Sequence, residues 1–326
     1  MKVCVVGAGA IGGWLGARLA ASGAAQVSAV ARGATLTALT EHGWRLQVGD
    51  EVVTAPVHAS AEPADLGEQD LVIVTVKGYS LPGVAVRLRP LLGSATMVLP
   101  FMNGVPWWIG EGTKLGADPL TSVDPGGVVS RAIAIDRVLG GVVHANCATV
   151  EPGVVRHVMG DRLIVGEVTG GSSPRADRVG EVLGAAGFDV TVSQDVRSAI
   201  WYKLWGNMTM NPVSAITGVT LDRVLDEPLL RDFCTAAMRE AATIGEQLGC
   251  SISETPEDRH QVTARLGAIT TSMLQDVRAG RPLELDALLG AVHEIGGRLG
   301  VPTPNVSALL GLVRVFAEGR GLYPAG

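Results

Sequence analysis

The chain has 326 residues, enough for two domains, and 47% hydrophobic against 18% charged residues excludes a disordered polymer. A net charge of −6, from 26 basic and 32 acidic residues, excludes nucleic acid as an expected partner, because a phosphate backbone needs a basic face. No run of 18 apolar residues occurs, so no membrane span is expected, and the first residues lead into a strand rather than a signal peptide.

Residues 3–6 are a short apolar run that breaks at Gly7 and resumes with helical spacing through Leu19. The join reads Gly7-Ala8-Gly9-Ala10-Ile11-Gly12-Gly13. Gly7 suits the tight turn out of a strand, Gly9 the close approach of a pyrophosphate, and Gly12 the packing of helix on sheet. The free N–H groups of the helix start would face the phosphates. A glycine loop alone is a weak signal in a chain with 43 glycines, but here strand and helix flank it as the motif requires.

A second apolar run, 27–31, ends in Ala31-Arg32-Gly33. An Asp or Glu at that place, roughly 20 residues beyond the loop, would bind the ribose 2′-OH of NAD. Arg32 can instead pair with a 2′-phosphate, so the expected cofactor is NADP(H). The β-branched run 71–76 reads as a strand buried on both faces, and 96–101 as another. They end at Lys77 and Asn103, where doubly wound sheets place their ligands. Strands alternating with helical stretches imply an α/β fold with a Rossmann-type, doubly wound parallel sheet.

From 141 to 168 strand-like pieces alternate with tight turns such as Glu151-Pro152-Gly153, and the expectation is hairpins that extend the sheet. Residues 188–193 are the last strand, and nearly everything after has helical spacing, as in 229–249 and 283–300. The expected domains are therefore 1–194, Rossmann-like, and 195–326, all-helical. Cys4, Cys147, Cys234 and Cys250 lie at neither metal nor redox spacing. Reduced, buried cysteines and a cytoplasmic protein without a metal site are expected.

In the helical half, Lys203, Asn207 and Asn211 are spaced i, i+4, i+8 and share one helix face, drifting about 40° per step. Trp201 and Trp205 lie on roughly the opposite face. Pro212 predicts that the helix ends near Asn211. By spacing alone, a solvated lysine with two polar surface residues fits as well as a binding stripe. Ser272 precedes a short helical stretch, Ser272-Met273-Leu274-Gln275-Asp276, and Glu284 reads as an ordinary first-turn acid of the next helix.

Together these pieces resemble the ketopantoate reductase family, the 2-dehydropantoate 2-reductases. The matching residues are 7–13, Arg32, Lys77, Asn103-Gly104, 151–157, Lys203, Asn207, Asn211-Pro212, 272–276, Glu284 and Asp286. The resemblance implies NADPH-dependent reduction of a 2-oxo acid, ketopantoate to (R)-pantoate, with Lys203 as general acid and Glu284 as its partner and a cofactor contact. It implies that Asn207, Asn211 and Ser272 bind substrate and that Asn103 sits where nicotinamide and substrate meet. Ala148 matches a backbone contact to the cofactor. A small 2-oxo acid and a second copy in a homodimer are the expected partners.

The chain also departs from the family pattern. The stretch between Asn103 and Ala148 is longer, with an insertion over 106–137 that carries Trp107 and Trp108 and could serve as a lid or a pocket wall. Ile269 and Leu221 stand where the family carries polar residues. Two alternatives therefore stay open: a paralogue reducing a different 2-oxo acid or ketone, and a non-catalytic NADP-binding sensor.

Overall fold

The computed structural model describes residues 1–265 and 267–323. They form two compact units: Met1–Met102 with Val128–Val196, and Asn103–Gly127 with the chain from Arg197 onward. A single boundary at 194/195 is expected from sequence. The chain instead leaves the first unit at 103, returns at 128 and leaves again after 196. The reason is apolar: Val105, just before the insertion, and Ile109 and Leu120 within it are buried in the core of the helical unit.

In the first unit, β1 (Lys2–Val6) runs into α1 (Ala10–Ala21), β2 (Gln26–Val30) into α2 (Gly33–His42). A hairpin, β3 (Trp44–Val48) and β4 (Glu51–Ala55), precedes β5 (His58–Ser60). Then come β6 (Gln69–Val74), the short α3 (Leu81–Ala85) and β7 (Leu92–Pro100). Five of these strands form a parallel sheet in the order β5-β2-β1-β6-β7. The 3–6 stretch of β1 and the 71–74 stretch of β6 are buried on both faces, as their unbroken apolar runs require. The strand order reverses between β1 and β6, which puts a crevice at their carboxyl ends.

After α4 (Val128–Ala132), the chain makes a long hairpin, β8 (Leu139–Glu151) and β9 (Val154–Glu167), then α5 (Pro174–Ala185) and β10 (Asp189–Ser193). The hairpin does not extend the parallel sheet. It belongs to a second sheet ordered β10-β9-β3-β4, with β8 also on β9. One edge of β9 is covered by β8, and the other is shared by β3 at its start and β10 at its end. The isolated bridge Val98↔Val138 joins the edge of β7 to this region, and Arg137 donates to the Gly93 and Ser94 carbonyls of β7. β3, β4 and β5 carry no assignment in the sequence reading. The turn Gly49-Asp50, with Gly49 at φ +59°, is the local signal for the first two.

The second unit holds α6 (Val196–Thr217), α7 (Leu221–Asp226), α8 (Pro228–Gln247), α9 (Pro256–Ala264), α10 (Ser272–Arg278), α11 (Ala291–Leu299) and α12 (Pro304–Glu318). The single helix expected over 283–300 begins instead with a π-helical turn, Asp286–Gly290. α6 does not stop at Asn211: it continues through Pro212 to Thr217. Proline removes one helical N–H donor. Here Met208, Met210, Val213 and Ala215, on both sides of it, are buried in the core, and that burial holds the helix together. Among the described residues, no helix is long and apolar enough to cross a membrane.

The part of the insertion up to Gly127 is tied to the helical unit. Glu294 accepts hydrogen bonds from the Thr121 and Ser122 amides, each 2.9 Å, and from the Ser122 hydroxyl, 2.7 Å. Arg298 donates to the carbonyls of Asp118 and Pro119, 3.0 and 2.6 Å. Arg197 donates to the Glu111 carbonyl, 2.6 Å. With Trp107 and Trp108 buried as well, this arrangement fits a fixed wall and not a swinging lid.

Candidate active site

The glycine turn is built by close approach. Gly7 has φ +98°, and a Cβ there would lie 2.8 Å from Val76 Cγ1. A Cβ on Gly12 would lie 2.1 Å from the Gly7 carbonyl oxygen, so only glycine lets α1 start this near to β1. The Thr75 hydroxyl donates to that same carbonyl at 2.7 Å and fixes the turn against the end of β6.

Gly9 differs from its neighbours: a Cβ there would meet no protein atom within 4 Å. Packing does not demand glycine at this point, and the space it leaves belongs to a cavity of about 220 Å³. Gly7, Ala8, Gly9, Arg32, Thr35 and Arg87 are among its lining residues. Gly9 also caps α1 without a side-chain acceptor, and the first turn, with Ala10, Ile11 and Gly12, carries no acid. Its amides are thus available to an anion. A dinucleotide phosphate fits this cradle by shape and by charge.

Two arginines face the cavity, with different freedom. Arg87 donates to both carboxylate oxygens of Glu62, 3.0 and 3.1 Å, and to the Ala61 carbonyl, 3.0 Å. Among the described residues the Arg32 side chain, at the N-cap of α2, makes no hydrogen bond or ion pair, and Thr35 follows on the first turn. Lys77 and Ala148 adjoin Val76 and Thr149, which line the cavity. Arg87, Thr35 and Thr149 are absent from the sequence reading. Thr35 could be found from its spacing to Arg32, whereas Arg87 arrives only through the fold.

In the helical unit, two indoles set the rotation of α6. Trp201 Nε1 donates to the Ala241 carbonyl, 3.1 Å, and Trp205 Nε1 to Met238, 2.7 Å. With that face buried, Lys203 and Asn207 are half-buried on the opposite stripe and Asn211 is buried. Lys203 is therefore not a solvated surface lysine. Its Nζ donates to Asn103 Oδ1 at 2.8 Å. Asn103 is presented by a docked backbone: the Val105 amide donates to the Ala287 carbonyl, 2.8 Å. Gly104, at φ +90°, passes so close that a Cβ would lie 2.5 Å from the same oxygen.

Burial pushes the Lys203 ammonium down from the usual lysine range to about 8, and the Glu284 carboxylate opposes that by favouring the charged form. An ammonium that gives up its proton near neutrality can act as a general acid. Glu284 does not open a helix but lies just before the first helical residue, in the irregular stretch 281–284. Ser272 is the first residue of α10 rather than the one before it. Thr271 takes the cap, its hydroxyl accepting from the Leu274 amide at 3.1 Å, and the Ser272 side chain is exposed. The structure thus brings Asn103, Lys203 and Glu284 together, with Asn207 and Asn211 along the same stripe. No described hydrogen bond joins Ser272 to them. Leu221 and Ile269, the two departures from the family pattern, are neighbours: the Leu221 amide donates to the Ile269 carbonyl, 3.1 Å.

A Rossmann-type phosphate cradle in one unit and a desolvated, hydrogen-bonded lysine in the other define a dinucleotide-dependent oxidoreductase. The model of the family described as ketopantoate reductase PanE/ApbA matches residues 3–170, and that of its C-terminal domain matches 195–317. The chain belongs to the ketopantoate reductase family. It is 43% identical to a 2-dehydropantoate 2-reductase of Mesorhizobium japonicum, over 99% of this chain and 100% of that one. It is 30% identical to a namesake from Halobacterium salinarum, over 97% and 98%. The crystal structure of a candidate ketopantoate reductase from Ralstonia solanacearum MolK2 is 51% identical, covers 99% of both chains and superposes with a TM-score of 0.95. Membership makes this chain an oxidoreductase that works with a nicotinamide cofactor.

Proposed function

We propose that the protein reduces 2-dehydropantoate (ketopantoate) to (R)-pantoate with NADPH. The observation that carries this reading is Lys203: half-buried, bonded to Asn103 Oδ1 at 2.8 Å, and lowered to about 8 by burial. The names of the relatives above support the substrate.

The nicotinamide, when bound, supplies a hydride to the keto carbon. Everything else falls to this chain. Gly7, Ala8, Gly9, Ala10, Ile11 and Gly12 hold the pyrophosphate at the start of α1. Arg32, free of a carboxylate, pairs with the 2′-phosphate and selects NADP over NAD. Lys77, Asn103 and Ala148 complete the cofactor contacts. Lys203 stabilises the charge growing on the carbonyl oxygen, gives that oxygen its proton, and is re-protonated from water. Glu284 keeps the amine charged and contacts the cofactor. Asn207, Asn211 and Ser272 take up the carboxylate and hydroxyl groups of the substrate without adding charge.

The test compares kcat/KM for ketopantoate, with NADPH, against a panel of 2-oxo acids. A clear preference for ketopantoate is expected. A second reading, a paralogue acting on a less hydroxylated 2-oxo acid, is favoured by one observation: buried Leu221 and its neighbour Ile269 present apolar side chains where the family pattern is polar. A ketopantoate value no better than the panel would move the assignment to that reading.

A further inference from the structure

Asp286 belongs to the family-like motif, yet the chemistry above gives it no task. Its surroundings supply one. The Tyr323 hydroxyl donates to Asp286 Oδ1 at 2.7 Å, and Arg314 Nη2 donates to the same oxygen at 3.1 Å. The Arg314 guanidinium also lies over the Tyr323 ring, 5.9 Å from its centroid. One residue earlier in the tail, the Leu322 carbonyl accepts from the Leu283 amide at 2.8 Å. Leu322 and Leu283 are both buried in the helical core, so this bond is shielded from water.

Leu322 and Tyr323, in the tail beyond α12, therefore grip the chain on either side of Glu284: its neighbour Leu283 through the backbone, and Asp286, two residues on, through the side chain. Glu284 needs such support. It lies in the irregular stretch 281–284, outside any helix or strand. The turn that follows is π-helical, a looser geometry than an α-helix. Burial and the Asp286 carboxylate push the Tyr323 phenol up to about 12, so its hydroxyl stays protonated and donating throughout the working pH range.

We propose that Leu322 and Tyr323 are positioning residues: by clasping Leu283 and Asp286 they fix Glu284 at the place from which its charge sustains the Lys203 ammonium. The inference rests on the reading of Lys203 as proton donor. It gives Asp286 and Arg314 a role in turnover without contact to substrate or cofactor.

The experiment is the pH dependence of kcat for Tyr323→Phe, which removes one oxygen and keeps the ring. A loosened Glu284 supports the charged amine less, so the alkaline fall in kcat moves to lower pH, by about half a unit. At neutral pH kcat changes little, because most of the amine stays protonated, while above the limb it falls about threefold and the melting temperature moves by only a few degrees. Asp286→Asn, of nearly the same shape, gives the same displacement and repeats the test should Tyr323→Phe not fold. The double variant is no worse than either single one, as expected for two ends of one interaction. A Tyr323→Phe enzyme with wild-type kcat and a wild-type alkaline limb overturns the clasp, whatever its melting temperature. Lys203→Ala separates the two layers. If it is inactive while Tyr323→Phe behaves as wild type, only the clasp fails. If it keeps full turnover, the proton-donor reading fails and the clasp with it.

Discussion

The start of α1 is shaped by backbone, whereas the surroundings of Lys203 are shaped by side chains. The proposed phosphate cradle is one contiguous stretch, Gly7 to Gly12, shaped by absent Cβ atoms and by a helix start with no side-chain cap. The Lys203 cluster draws on three distant segments, Asn103, Lys203 and Glu284, and its chemistry comes from burying a charge. The first kind of site is hard to tune and easy to break, because a single methyl group collides with main chain. The second is graded: each neighbour shifts the amine by a fraction of its total perturbation.

The largest effect expected from this contrast is at Lys203 itself. Lys203→Ala removes the acid and lowers kcat about a thousandfold, within the range for general acid catalysis, while the NADPH dissociation constant measured by fluorescence changes little. Retained turnover would show that the helical site does not supply the proton.

Next come two glycines of the cradle, which should behave differently. Gly12→Ala places a methyl 2.1 Å from the Gly7 carbonyl, destabilises the fold by about 3 kcal/mol in denaturant titrations and abolishes NADPH binding. Gly9→Ala meets no protein atom, so it keeps the wild-type melting temperature and loses only cofactor affinity. Equal loss of stability in both would mean that the space beside Gly9 is not kept for a ligand.

Arg32→Ala should weaken NADPH by about tenfold to a hundredfold and NADH hardly at all, since only NADPH carries the 2′-phosphate. The same loss for both cofactors, read from paired titrations, would remove Arg32 from the cofactor choice.

The smallest effect sharpens the graded side of the comparison. With Lys203 as the proposed acid the reaction needs the protonated amine, so kcat is expected to fall as pH rises through its value of about 8. Glu284 raises that value, so Glu284→Gln moves the alkaline limb to lower pH, by about one unit. A limb that stays in place would separate Glu284 from the amine.

The parallel sheet and the glycine turn are legible along the chain because short-range rules govern them: unbroken apolar runs for β1 and β6, a positive φ at Gly7, an open helix start. The stripe Lys203-Asn207-Asn211 is equally visible as spacing, but spacing is silent on which face of α6 is buried. Trp201 and Trp205 settle that by reaching carbonyls on α8. The partnership of the β8–β9 hairpin escapes sequence reasoning because strand pairing is a long-range choice between edges with similar patterns. The passage of α6 through Pro212 escapes it because burial outweighs a local breaker.

By itself the sequence determined the Rossmann half, the phosphate turn and the candidate residues for acid chemistry, since each depends on neighbours a few positions away. Only the tertiary structure decided that residues 103–127 join the helical unit, that Asn103 meets Lys203, and that the amine is desolvated. A lysine's proton affinity is a property of the volume around it, and that volume is filled by segments as much as 100 residues away in the chain.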